Sequence, residues 1–252
     1  MDQNPVLELQ DVSKHFGGLT AVDRVSFKVF AKEIVAIVGD NGAGKSTIIK
    51  TISGVYRRDG GRMLFCGEPV EFHSTLEARR KGVETVYQEE GLIPQFDASL
   101  NLFLGRPLVR NTLLGRWLRI ADYKTMRMET QKLLGSVGID LPNLRRPVTG
   151  LSGGQRQSVL VGKAIYWGGR LLIFDEPTNH LGARQESNIM SLIKRIREQY
   201  EVAIIIISHN IAHVFEMADR IIVLRNGSIV GERSRGTTTP NEIVSMITGL
   251  SS

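Results

Sequence analysis

Five consecutive apolar residues, Ile34-Val35-Ala36-Ile37-Val38, run directly into Gly39-Asp40-Asn41-Gly42-Ala43-Gly44 and then into an apolar helical stretch from Lys45 toward Ile52. A strand with no polar position has no face to offer water, so this one is expected in a sheet covered on both sides. Two further runs have the same character, Leu171-Leu172-Ile173-Phe174 and Val202 to Ile207. Between them, Arg184 to Tyr200 places Ile189, Leu192, Ile193 and Ile196 at the spacing of a helix with one buried face. Strand, helix and strand in that order predict a parallel sheet in an α/β fold.

The flanks read differently. Val6-Leu7-Glu8-Leu9 and Val25-Ser26-Phe27-Lys28-Val29-Phe30 predict half-buried strands, the second alternating cleanly. Ile221 to Leu224 and Ser228 to Val230 flank Arg225-Asn226-Gly227, a hairpin with an Asn-Gly turn. In Thr239-Pro240-Asn241-Glu242, an N-cap, a proline at the first helical position and a capping-box acid open a last helix. From about 91 to 165 the sheet pattern gives way to helical spacing. A helical subdomain is expected there, inside a single domain spanning 1–252.

Composition narrows the class. Cys66 is the only cysteine, which excludes a disulfide scaffold. The longest strongly apolar run, Val202 to Ile207, falls far short of the ~20 residues of a spanning helix. Met1-Asp2-Gln3-Asn4 has no basic start followed by an apolar stretch, so a cytosolic chain is expected. The formal charge is +6. Nine basic residues (Arg106, Arg110, Arg116, Arg119, Lys124, Arg127, Lys132, Arg145, Arg146) and three acids (Asp122, Glu129, Asp140) lie between Arg106 and Arg146, so this segment carries the whole surplus. Such a surplus suits an anionic surface, although a solvated helix face is the plainer reading. Trp117 and Trp167 are most simply packing residues.

The chemistry concentrates where the buried strands end. Gly39 to Thr47 satisfies G-x-x-x-x-G-K-[ST]. Small residues let backbone N–H groups curl round phosphates, and the following helix presents its positive end. Lys45 would supply a point charge to the β- and γ-phosphates, and the Ser46 hydroxyl a ligand to Mg²⁺. Asp175-Glu176 closes the strand beginning at Leu171. Ligands of open α/β sheets sit beyond the carboxyl ends of the strands, so Asp175 would reach the same Mg²⁺. Glu176 would orient or deprotonate the attacking water.

Leu151-Ser152-Gly153-Gly154-Gln155, lying between that loop and Asp175-Glu176-Pro177-Thr178 and ahead of a predicted helix from Arg156 to Trp167, resembles the signature of ABC ATPases. The resemblance runs from Val6 to about Gly249. It implies an ABC-type P-loop ATPase with a RecA-like mixed sheet core, an N-terminal antiparallel β subdomain and a helical subdomain. By the same resemblance Phe16 stacks on adenine, Gln88 touches Mg²⁺ and water, and His209 contacts the γ-phosphate. Each would otherwise be unremarked: Phe16 a core residue, Gln88 a surface glutamine, His209 a turn residue. The resemblance further implies a homodimer, in which Ser152, Gly153, Gly154 and Gln155 of one chain close on the ATP of the other. Where the family usually has Leu-Asp after Asp-Glu-Pro-Thr, this chain reads Leu181-Gly182, which bears on the link between the two ATP sites rather than on ATP binding.

A finer similarity, in Ser53-Gly54-Val55-Tyr56, Glu84 to Gln88, Ser208 to Ile211 and Thr237 to Ile243, is to the ATPases of bacterial simple-sugar importers. It implies ATP and Mg²⁺, a membrane permease and a periplasmic or extracellular sugar-binding protein as partners, and a peripheral place on the cytoplasmic face of the cell membrane. The basic segment is then expected on the side facing membrane and permease. The competing expectation is a soluble ABC ATPase acting on nucleic acid or ribosomes. The chain has neither the tandem cassettes with a charged linker nor the long coiled coils of such proteins, so no nucleic-acid partner is expected.

Overall fold

The computed structural model describes residues 4–86, 91–136, 138–139, 141, 143–167, 169–179 and 181–249. They fall into two compact units. One comprises Met1–Gln88, Gly169–Pro177 and Ile196–Ser252; the other comprises Glu89–Gly168 and Thr178–Arg195.

The first unit is built on two sheets. A mixed six-stranded sheet contains β3 (Ile34–Val38), β6 (Val83–Val86), β7 (Leu171–Asp175), β8 (Ala203–Ile207), β9 (Arg220–Arg225) and β10 (Ser228–Ser234), in the order β10-β9-β3-β8-β7-β6. Its strands from β9 to β6 are parallel, and β10 pairs with β9 antiparallel. The turn between them is Asn226-Gly227, both residues at positive φ (50° and 81°), which only such a pair adopts cheaply. The second sheet is antiparallel, in the order β2-β1-β4-β5: β1 (Leu7–Phe16), β2 (Leu19–Val29), β4 (Gly60–Phe65) and β5 (Glu68–Pro69). Both N-terminal strands run several residues longer than their apolar cores suggest, because irregular register between Leu9 and His15 lets β1 keep pairing as its side-chain pattern shifts.

The unbroken apolar run of β3 has its explanation in two cores. Val35 and Ile37 pack with α1 (Lys45–Ile52) and the antiparallel sheet. Ala36 and Val38 pack on the opposite side, with residues of α8 (Ile211–Met217) and α9 (Pro240–Thr248). Strand β9 divides likewise, Ile222 and Leu224 to one core and Ile221 and Val223 to the other. Alternate residues go to alternate sides, so no position is left for a polar one. The short helix α2 (Thr75–Lys81) completes this unit.

The second unit is helical: α3 (Ala98–Leu102), α4 (Leu113–Trp117), α5 (Tyr123–Ser136), α6 (Gly153–Tyr166) and the larger part of α7 (Ala183–Tyr200). Helix α6 begins at Gly153, three residues earlier than predicted, so the signature glycines form its first turn. Of the two tryptophans, Trp167 packs as expected. Its Nε1–H donates to Leu102 O (3.0 Å), its ring meets Phe103 and Tyr166 edge-on, and Arg106 lies over it. Trp117 does not pack: it is 80% exposed. Basic Arg127 is also not a free surface charge, since it pairs with the buried Asp97 at 3.5 Å.

Asn101, fully buried, ties down the chain ahead of α3. Its carboxamide donates to the carbonyls of Ile93, Phe96 and Asp97 (3.1, 3.2 and 3.0 Å) and accepts from Ile93 N–H (2.6 Å). Asn101→Ala strands these groups away from water, at ~1–3 kcal/mol for each one left unpaired. We expect the variant to lose on the order of 3 kcal/mol in denaturant unfolding; a loss within experimental error would show that the loop re-pairs without it.

Candidate functional site

Strand β3 delivers its last residue into the loop Gly39–Gly44, whose backbone is held in conformations that only glycine tolerates. Gly39, Gly42 and Gly44 have φ of 152°, 81° and 102°. A Cβ at Gly39 would collide with Leu224 O, and one at Gly44 would lie 2.5 Å from Ala21 O. Helix α1 starts with Gly44 as N-cap, and its internal bonding begins only with Ile48 N–H to Gly44 O (2.9 Å). The N–H groups ahead of Ile48 are therefore the donors a helix leaves unsatisfied, gathered at its positive end.

Lys45 turns back over this loop. Its Nζ donates to Gly39 O (2.6 Å) and Asp40 O (2.8 Å), which leaves one of its three protons for another acceptor. Burial lowers its pKa, and the carboxylates of Glu176, Asp40 and Asp175 oppose that shift. An anion over the loop would satisfy both the remaining proton and the charge.

Asp175 ends β7, and Glu176 follows it in a left-handed conformation (φ 51°), its N–H donating to Ile207 O at the end of β8 (3.0 Å). A non-glycine residue there stores strain, a feature concentrated at functional sites. The Glu176 carboxylate lies 3.0 Å from Nδ1 of His209, which stands beyond the end of β8. Burial, then the neighbouring Glu176, raises the Asp175 pKa, while Lys50 and Lys45 pull it down.

A groove of about 320 Å³ joins these parts, lined by Phe16 and Leu19–Ala21 at one side, Asn41–Thr47 along its floor and Glu176 at the other. Phe16 keeps 42% of its surface exposed, packed edge-on against Tyr56 at 5.1 Å with Lys14 over its ring. Lys14 is held in turn by Asp59 at 3.0 Å. Lys50, Lys14 and Asp59 belong to the neighbourhood but carry no motif, and Tyr56 stands in the Ser53-Gly54-Val55-Tyr56 segment that is similar to sugar-importer ATPases. Asp59 stands 45 residues from its partner, so only the fold brings the pair together.

Ser152 to Gln155 lie in the helical unit and form a capping box. Ser152 Oγ accepts from Gln155 N–H (3.3 Å) and Gln155 Oε1 accepts from Ser152 N–H (3.0 Å), so the serine's own proton stays free to donate. Gln88 lies outside the described residues. Gly182 is exposed, has no atom within 4 Å of a would-be Cβ and needs no positive φ, so its backbone does not demand glycine.

The residues present fit a nucleoside triphosphate with a divalent cation. The groove offers an aromatic ring, a concave row of backbone donors and a lysine. Among the described residues no three His, Cys, Asp or Glu side chains form a metal cage. A hard divalent cation on a nucleotide would need only one or two protein carboxylates, the rest of its shell coming from phosphates and water. Asp175, whose charge is disfavoured by burial and by Glu176, gains from a cation beside it.

A glycine loop between a doubly buried parallel strand and a helix, with paired carboxylates at the end of β7 one strand beyond β8 in the same sheet, defines the P-loop class of nucleotide-binding proteins. Residues 22–179 match the family described as "ABC transporter". The chain is 39% identical to the fructose import ATP-binding protein of Rhizobium meliloti, over 99% of this chain and 96% of that protein. It is also 39% identical to the xylose/arabinose import ATP-binding protein of Sulfolobus acidocaldarius, over 96% and 94%. Against a ribose import ATP-binding protein of Rubrobacter xylanophilus it is 38% identical over 98% of its own length but spans only 48% of that protein. A nucleotide-free ATP-binding cassette from an ABC transporter shares the fold, with TM-score 0.83 and 22% identity over 96% of this chain and 98% of that one. The chain belongs to the ABC transporter family.

Two measurements follow from this geometry. Phe16→Ala should weaken ATP binding by ~1–3 kcal/mol, the worth of a base stacked on an aromatic ring, and leave tripolyphosphate affinity nearly unchanged. Equal losses for the two ligands would reduce Phe16 to a support for Tyr56. The second concerns Asp175. Its folded-state carboxyl keeps its proton to higher pH than in the unfolded chain, so ionising it at neutral pH costs folding free energy, and the cost vanishes as pH falls below the unfolded-state pKa. In buffer without nucleotide or metal, Asp175→Asn should melt above the parent at neutral pH, with the gap closing in acid; a lower melting temperature at neutral pH would contradict this.

Proposed function

We propose that this chain is the ATP-binding and ATP-hydrolysing subunit of an ABC importer for a simple sugar. It works as a pair of identical subunits, held peripherally on the cytoplasmic face of the cell membrane by a permease that a periplasmic or extracellular sugar-binding protein serves. Sugar import rests on the similarity to fructose and xylose/arabinose import ATP-binding proteins along nearly the whole chain. No helix among the described residues is long and apolar enough to cross a membrane, in keeping with a permease supplied by other chains.

Hydrolysis rests on one observation above the others: Glu176, strained in backbone and hydrogen-bonded to His209, sits at the end of the groove whose floor is the phosphate loop. In this reading Phe16 stacks on adenine, and the backbone of Gly39, Asp40, Asn41, Gly42, Ala43 and Gly44, with the N–H groups of Lys45, Ser46 and Thr47, cradles the phosphates. Lys45 gives its remaining proton to the β- and γ-phosphate oxygens. Ser46, Asp175 and Gln88 would hold Mg²⁺, which supplies positive charge against the oxygens that gain negative charge as the bond to the γ-phosphoryl group breaks. Glu176 orients the attacking water and takes its proton, and His209 contacts the γ-phosphate. Ser152, Gly153, Gly154 and Gln155 of the second subunit close the site, with the free Ser152 proton as donor. Gly182 stands where the family usually has an acid, a position that bears on the link between the two sites.

Glu176→Gln should slow phosphate release ~10²–10⁴-fold while ATP still binds, the range for a lost general base. Hydrolysis at the parent rate would remove Glu176 from the reaction. The sugar assignment is checked by the neighbouring reading frames: a permease and a secreted sugar-binding protein support it, and genes for an exporter or for translation would overturn it.

A further inference from the structure

Between Val109 and Ala121 the helical unit carries a small closed knob. Its neck is an antiparallel bridge between these two residues, secured by Arg110 N–H to Ile120 O (2.9 Å) and Asp122 N–H to Leu108 O (2.7 Å). Inside, Thr112 caps α4 by accepting from Gly115 N–H (3.0 Å), and Ile120 N–H donates to Gly115 O (2.9 Å). Gly115 is demanded by crowding, since a Cβ would lie 2.6 Å from Thr112 Oγ1 and 2.8 Å from Arg110 O. The backbone is thus spent on building the knob itself.

What the knob presents outward is apolar: Leu113, Leu114, Trp117 and Leu118 are 94, 65, 80 and 52% exposed. Single exposed leucines are ordinary, but four large side chains on one convex tip are a patch that needs a partner. Around them stand Arg116, Arg119 and Lys124, all exposed and, among the described residues, in no ion pair. The one carboxylate nearby, Asp122, is turned to the N–H and hydroxyl of Thr125 (3.1 and 2.9 Å).

We propose that this knob is a membrane-surface anchor: Leu113, Leu114, Trp117 and Leu118 enter an anionic bilayer at headgroup depth, and Arg116, Arg119 and Lys124 engage lipid phosphates. Tryptophan and aliphatic side chains with a basic rim are the chemistry of interfacial binding, and guanidinium groups pair bidentately with phosphate. A protein partner would find no strand edge and no free carboxylate here. The proposal goes beyond the import reading and does not depend on the ATP groove.

The test is sedimentation of the full chain with vesicles of phosphatidylcholine alone or mixed with phosphatidylglycerol, from about 50 to about 300 mM salt, a range over which the Debye length shortens from about 14 to about 6 Å. Binding to anionic vesicles only, weakening with salt, is expected. Replacing Arg116, Arg119 and Lys124 together by Gln should lower it on the order of 100-fold, each cation being worth about fivefold. Leu113→Ser with Trp117→Ser should lower it at least about tenfold, with melting temperature and ATPase rate in solution unchanged. Trp117 fluorescence should shift to the blue on binding and be quenched by brominated lipid, effects absent from Trp117→Phe. No binding to anionic vesicles at low salt would overturn the proposal. Lipid-free self-association that depends on Trp117 would overturn it by giving the knob to a second copy, and knob-dependent capture of purified permease without lipid preference would give it to a protein.

Discussion

Burial of β3 on both faces is the constraint on which the rest depends. Because all five of its residues are buried and Val35 to Val38 go alternately to one core and the other, the strand cannot shift along its neighbours without driving an apolar side chain toward the wrong layer. Its C-terminal end is thereby fixed, and the loop that follows is clamped between Leu224 O and Ala21 O so closely that only glycine fits. The row of phosphate-binding N–H groups inherits its position from that clamp. Activity at the loop is therefore a property of hydrophobic packing several residues away.

The site spends some of the stability that this packing provides. Burial and Glu176 disfavour the charged form of Asp175, Glu176 holds a left-handed backbone, and the Lys45 ammonium is desolvated. The two charge penalties are eased by a bound cation or anion, and the backbone strain at Glu176 is of the kind that clusters at functional sites.

Much of this was legible in the sequence, and the exceptions have physical causes. The runs Ile34–Val38, Leu171–Phe174 and Val202–Ile207 announce buried strands because no polar residue interrupts them, and the Asn226-Gly227 turn announces its hairpin because few other pairs adopt its backbone cheaply. Strand β6 has no such run: Val83-Glu84-Thr85-Val86 is short and half polar, and its buried Glu84 has Arg79 beside it at 3.5 Å, a pairing that only the fold provides. The start of α6 was placed late because glycines are poor helix formers, an objection that the Ser152–Gln155 capping box overrides. Phe16, Lys45, Glu176 and the loop come together at one groove, yet the supporting pair Lys14–Asp59 has no local signal, and the edge-on packing of Tyr56 on Phe16 depends on the fold. Trp117 looks like a packing residue in sequence because large aromatic residues usually are; its exposure depends on a knob whose backbone closes on itself, which no periodicity reveals.

The Asn226-Gly227 turn reaches further than its hairpin. Gly227 N–H donates to Ala43 O in the phosphate loop (3.1 Å), and Gly227 O accepts from Asp23 N–H (2.8 Å), so residues near 23, 43 and 227 are spliced at one point. Strand β3 likewise has only β8 and β9 as neighbours, both drawn from the last quarter of the chain. During synthesis the nucleotide loop emerges some 180 residues before the hairpin that holds Ala43 O. Fixing the loop backbone is thus a late, long-range event of folding, deferred until β8, β9 and the hairpin have been made.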